Sequence, residues 1–91
     1  MKALTTLLLL SLTLTPYQAV QFRSERVDVV EREIRGGNYR IFTTFLTVHQ
    51  IGGKPVPIAE FWRRARTGKV IQAKVTRRAG LLWAARINIK E

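Results

Sequence analysis

EREIRGGNYRIFTTFLTVHQ, residues 31–50, is the stretch whose reading decides the fold. At its centre Gly36-Gly37-Asn38 supplies residues that tolerate positive φ, as a tight hairpin turn requires, and alternating segments flank it. A β-hairpin follows. Beyond the turn, Tyr39, Ile41, Thr43, Phe45, Thr47 and His49 share one face of an extended chain. Arg40, Phe42, Thr44, Leu46, Val48 and Gln50 share the other. Apolar groups on both faces predict one central, covered strand from Tyr39 to Gln50.

Upstream, Val27 to Arg35 mixes β-branched and charged residues in near alternation that slips at Val29-Val30, which predicts a strand with a bulge. Tyr17 to Arg26 reads as a connection. Downstream, Gly52-Gly53-Lys54-Pro55 forms a turn, and Pro57 argues against a central strand after it. The segment Ile58 to Arg66 has two readings, a short irregular strand or, preferred, one or two helical turns that bury Ala59, Phe61, Trp62 and Ala65 and end at Gly68. A second hairpin spans Lys69 to Thr76 and Leu81 to Lys90 around Arg77-Arg78-Ala79-Gly80. Its last strand places Leu81, Trp83, Ala85, Ile87 and Ile89 inward, with Arg86, Asn88 and Lys90 outward.

The chain has 91 residues, enough for one domain, and 46% apolar composition, enough for a core. The fold class is all-β (mainly β): a small five-stranded OB-like barrel or curled antiparallel sheet with one short helix. Residues 1–91 form a single domain. From Ala3 to Thr15 an apolar run after Lys2 has two readings. It resembles a signal peptide, in which residues 1–19 would be removed and the domain exported. Against this, a cut after Ala19 leaves bulky Tyr17 near the cleavage point, and Leu10 to Thr15 alternates as a strand does.

Sixteen Lys and Arg against six Asp and Glu give a net charge of +10, so an acidic partner is expected. Arg predominates, and its planar guanidinium suits phosphate contact and base stacking, which points to nucleic acid. Cysteine is absent, which removes disulfides, thiolate zinc sites and thiol nucleophiles. His49 stands alone and reads as an ordinary strand histidine. Asp28, Glu31 and Glu33 lie among Arg26, Arg32 and Arg35 and read as local ion pairs. With no phosphate-binding glycine loop either, nothing argues for an enzyme, and no cofactor, metal or small-molecule substrate is expected.

The binding candidates are the basic and turn-placed aromatic residues: Arg35, Tyr39, Arg40, Lys54, Arg63, Arg64, Arg66, Lys74, Arg77, Arg78 and Arg86. Phosphates would meet the charges and exposed bases would stack on rings. Phe42, Phe45, Phe61 and Trp83 read as core, whereas Tyr39 fits either role.

Gly37-Asn38-Tyr39, the strand to Val48, Gly53-Lys54-Pro55-Val56 and Arg78-Ala79-Gly80-Leu81-Leu82 followed by Arg86 resemble the gene V type single-stranded-DNA-binding proteins of filamentous phages. Leu12 to Ala19 looks like their first strand and its exit. The resemblance runs from Leu12 to Ile89. It implies a five-stranded OB-type barrel, a homodimer in the host cytoplasm, and coating of single-stranded DNA during replication with little sequence preference. Tyr39 would then stack on bases and Arg86 contact phosphate. Thr47, Lys54 and Ala79 stand where that family has aromatics, so the arginines would carry more of the affinity. Two other roles compete: an exported basic domain at an anionic envelope surface, where a membrane would be the partner, and a structural protein of a virion or ribonucleoprotein.

Overall fold

The computed structural model describes residues 16–91, and the Ala3–Thr15 run, with its choice between signal peptide and strand, lies outside them. The strands are β1 (Gln18–Arg23), β2 (Arg26–Asp28), β3 (Glu33–Gly36), β4 (Tyr39–Phe42), β5 (Val48–Ile51), β6 (Lys54–Pro55), β7 (Val70–Arg78) and β8 (Leu81–Ile89). One helix, α1 (Ile58–Arg64), separates β6 from β7.

The hydrogen-bonded path runs β1-β7-β8-β4-β3-β2, with β5 on β8 and β6 on β5. β8 lies parallel to β4 and β5, and the other pairings are antiparallel. The mostly β class with one short helix holds, and the sheet is mixed and curled without closing. Its two ends, β1 and β2, are consecutive in the chain, so one bent strand serves both edges. Taking β1–β2 and β4–β5 as two bent strands and leaving the short β6 aside, the segments reduce to the five expected strands.

The bend between β1 and β2 is pinned by Ser24. Its backbone N–H donates to Lys69 O (2.8 Å), its hydroxyl donates to Arg66 O (2.6 Å), and its carbonyl accepts from Gly68 (2.7 Å). Gly36 packs so closely beneath this bend that an added Cβ would collide with the Arg23 carbonyl and the Phe22 ring. The Tyr17 to Arg26 stretch, expected as a connection, is therefore mostly strand: Val20 and Phe22 alternate into the core.

Two expected strands are broken by side chains that bond to their own backbone. Val27 to Arg35 is a hairpin and not a bulged strand, because Asp28 Oδ1 accepts from Glu31 N (3.0 Å) and Arg32 adopts φ +57°. Tyr39 to Gln50 is interrupted between Phe42 and Val48. There Thr47 Oγ1 accepts from Thr44 N (3.0 Å) and donates to Ala84 O (2.7 Å), while Thr44 Oγ1 accepts from Leu46 N (3.1 Å). The break carries Phe45, expected in the core, to a tip where it is 82% exposed.

The two-residue turn Gly37-Asn38 joins β3 to β4 as expected, with Gly36 opposite Tyr39. Helix α1 starts after Pro57 and buries Phe61 and Trp62, with Ala65 just beyond it; Ala59 faces solvent. The helix ends at Arg64, earlier than expected, because Ala65 turns extended (ψ 124°).

The core comprises Val20, Phe22, Ile34, Ile41, Phe61, Trp62, Ile71, Val75, Ile87 and Ile89, with smaller alanines between them.

Candidate nucleic-acid interface

The outer face of the sheet is set by one irregularity in the β7–β8 hairpin. Lys74 pairs with Arg86 and Val75 with Ala84, so Ala85 has no partner and forms a bulge. Side-chain parity on β8 switches there: Ala84 points inward before the bulge, and Ile87 and Ile89 point inward after it. Strict alternation put Trp83 inside and on the opposite side from Arg86. The bulge brings both to the outer face, leaves Leu81 exposed at the tip and Ala85 half-buried, and Asn88 stays on Arg86's side although it is largely covered.

Cross-strand partners on this face read from one end as Arg78 with Leu81, Thr76 with Trp83, Lys74 with Arg86, and Gln72 with Asn88. The face continues sideways through β4 and β3. Phe42 lies beside Trp83 in the parallel β4–β8 pair, Arg40 faces Arg35, and Arg35 faces Arg26. Arg40 sits 5.0 Å over the Phe42 ring, which lies 5.3 Å from the Trp83 ring at 36°. Both rings are half-buried, so each keeps surface toward solvent. This is a guanidinium–ring–ring series, each contact within the range where such pairs attract.

Glu33 lies beneath that series. It is 4% exposed and accepts from Arg40 Nε (2.8 Å), from Arg40 Nη2 (3.3 Å) and from Arg35 Nε. Burial alone would push its carboxyl up, but the bonds from Arg40 and Arg35 outweigh burial and hold it below the ordinary 4.5. Of the three acids expected in local ion pairs, Glu33 pairs with Arg35 and is joined from across the hairpin by Arg40, whereas among the described residues Asp28 and Glu31 form none.

Toward the other end a groove of about 620 Å³ opens between Tyr17, Lys74, Arg86 and Gln50. Its floor is an amide ladder: Gly53 N donates to Asn88 Oδ1 (2.8 Å), Asn88 Nδ2 to Gln72 Oε1 (2.9 Å), and Gln72 Nε2 to Gln21 Oε1 (2.9 Å). Lys74 Nζ lies 5.0 Å over the Tyr17 ring at the rim. Cations that suit phosphates thus border amides and rings that suit bases.

Of the eleven candidate residues, Arg35, Arg40, Lys74, Arg78 and Arg86 meet on this face, and Lys54 stands next to Gly53 at its far edge. The others lie elsewhere. Tyr39 packs on Phe22 (5.6 Å) against the core. Arg63 pairs with Glu60 (3.9 Å) and Arg64 with Glu91 (2.8 Å) around α1. Arg66 folds back onto the Ala65 carbonyl (2.9 Å). Arg77 falls on the opposite parity at the hairpin tip, beside Leu82. Alternation alone missed Arg26, Phe42, Trp83 and Tyr17. Asp28 and the threonines of 43–47 carried the signal for the broken strands, but nothing local marked the bulge at Ala85.

Among the described residues no group of three or more His, Cys, Asp or Glu side chains forms a metal-holding cluster. His49 is 3% exposed, edge-on to Phe61 at 5.0 Å, with Nδ1 at 2.8 Å from Thr47 O.

No protein-family model and no curated protein matches this chain. Among solved structures it is similar to apo-CusF residues 6–88 from Escherichia coli, at 12% identity and a TM-score of 0.59. The match covers 87% of this chain and 93% of that one. The likeness is one of fold. The chain is an OB-like, mostly β domain.

Proposed function

We propose that this domain is a non-enzymatic single-stranded nucleic-acid-binding protein, DNA before RNA, which coats its ligand with little sequence preference. The observation that carries the reading is the bulge at Ala85, which sets Trp83 beside Phe42 of β4 and among Arg40, Arg78, Lys74 and Arg86 on one outer face. An unpaired strand has the complementary pattern, a phosphate line with bases free to stack, whereas a duplex hides its base faces. The gene V type resemblance supports the same reading and adds a homodimer in the host cytoplasm. Of the residues carried over from it, Arg86 remains a phosphate contact; Trp83 and Phe42 take the stacking role in place of Tyr39.

Titration of labelled oligo-dT and duplex DNA at two salt concentrations tests this. Preference for the single strand and a steep loss with salt are expected; flat salt dependence or preference for duplex overturns it. Light scattering of the free protein tests the dimer.

A second reading, an exported domain at an anionic envelope surface, has one specific observation behind it. Val30 and Phe45, 88% and 82% exposed, stand on two turns joined by the Thr43 N–H bond to Arg32 O (3.1 Å), which presents apolar tips beside a cation. Sedimentation with anionic vesicles in the absence of nucleic acid is the measurement for it.

A further inference from the structure

The groove on the outer face is floored by a row of amides that crosses four neighbouring strands. Register places Gln21 of β1 opposite Gln72 of β7, Gln72 opposite Asn88 of β8, and Asn88 beside Gln50 of β5. All of them line the groove; Gln21 is exposed and Gln72 and Gln50 are half-buried, so the row is open to a ligand. Two residues along the same strands, Lys74 and Arg86 form a parallel row of cations, both exposed. No Asp or Glu lines the groove, and among the described residues neither cation has an acidic partner.

A side-chain amide can face either way, and its bonding partners decide which end points where. Here a backbone group decides. Gly53 N–H only donates, so it fixes the Asn88 oxygen toward itself (2.8 Å). Asn88 Nδ2 must then donate onward to Gln72 Oε1 (2.9 Å), and Gln72 Nε2 to Gln21 Oε1 (2.9 Å). The bonds run one way from β8 to β1, and Gln50 stands outside them. At the β1 end the Gln21 NH2 group has no partner among the described residues. Beside it are the Lys74 ammonium and the Arg86 guanidinium, which also only donate. This end of the groove therefore offers donors, and the edge that fits it is one of acceptors.

Pyrimidine bases differ in that respect. Thymine and uracil carry a carbonyl oxygen at O4, where cytosine carries the N4 amino group, a donor. A base whose phosphate is held by Lys74 and Arg86 meets the amide row with its edge. A carbonyl edge accepts from the Gln21 NH2 group; an amino edge sets donor against donor and leaves both unmet.

We propose that the amide row gives the bound single strand a composition preference, thymine or uracil over cytosine, through the Gln21 NH2 group. The polarity of the row, set at its other end by the Gly53 backbone, is what makes the preference run in that direction. This rests on the single-strand reading above and deepens it: coating stays phosphate-driven, with one point of base contact added.

The test is fluorescence anisotropy of the full chain with labelled oligo-dT, oligo-dU and oligo-dC of equal length at one salt concentration. Oligo-dT and oligo-dU, which differ only in the methyl group, should bind alike. Both should bind roughly three- to tenfold tighter than oligo-dC, the difference between one hydrogen bond made and one donor left unmet. Gln21→Ala should bring the dT-to-dC ratio to about one with the salt slope unchanged, and Gln21→Glu, which ends the row in an acceptor, should reverse the ratio. Equal binding of oligo-dT and oligo-dC by the intact chain, oligo-dU that behaves as oligo-dC, or a preference for oligo-dT that survives Gln21→Ala or Gln21→Glu overturns the amide selection and leaves the interface standing. Failure of all three oligonucleotides to bind overturns the interface, and the selection with it.

Discussion

His49 and Glu33 are buried titratable groups held in opposite charge states. Burial, with Arg32 nearby, pushes the His49 ring below its ordinary 6.5 despite its bond to the Thr47 carbonyl, so it is neutral at physiological pH. Glu33, kept ionised by its two arginines, also sits below its ordinary value. In both cases the unfolded chain binds a proton more readily than the folded one, so stability rises with pH. The His49 contribution is complete above about pH 6.5 and is lost as pH falls below it; the Glu33 contribution is lost further down, below about pH 4.5. Melting temperature measured against pH should therefore fall in two stages. His49→Gln should flatten the upper stage and leave the lower one, and Glu33→Gln the reverse. Gly36 fixes a third residue-scale expectation. Gly36→Ala forces backbone against backbone at the β1–β2 bend and should cost about 1–3 kcal/mol in a denaturant melt, the range for overpacking.

At the scale of elements, the β7–β8 hairpin does most to build the candidate interface. Ala79 and Gly80 both take positive φ (54° and 76°), the geometry that matches the twist of the flanking strands. Deleting Ala85 removes the bulge and restores plain alternation, with Trp83 and Arg86 two positions apart and both still on the outer face. The deletion should therefore leave oligo-dT affinity closer to that of the intact chain than Trp83→Ala does, read by anisotropy, with thermal melting reporting its cost to the fold. Trp83→Ala alone removes one stacking platform, worth about 1–3 kcal/mol per base. The broken β4–β5 strand is the other decisive element. Its threonine-bonded loop exposes Phe45 and Leu46.

For the whole molecule, the net charge of +10 is divided between a face where cations converge and an α1 side where Arg63 and Arg64 pair with acids. With Arg35 and Arg40 already paired to Glu33, if Lys74, Arg78 and Arg86 each meet a phosphate, log affinity against log salt should fall with a slope of about −2.1. Arg86→Ala should reduce that slope by about 0.7, whereas Arg63→Ala should leave it unchanged. Among the described residues the buried core starts at Val20.

Local chemistry written in the residues was enough for the β class, the Gly37-Asn38 turn, the late hairpin, the short helix with Phe61 and Trp62 buried, and the basic character. Each depends on φ preference, side-chain period or charge, which a short window carries. Arg86 was also legible as a cation on an outward position. The placement of Trp83 was not. A single unpaired residue reverses facing, and whether Ala85 is unpaired depends on how β8 meets β7 on one side and β4 and β5 on the other. The row of amides likewise exists only where β1, β7, β8 and β5 come together. The sequence by itself determined a basic, mostly β domain. The tertiary structure alone decided which cations share a face with aromatic rings, because facing is a property of strand register, and register is set by partners distant in the chain.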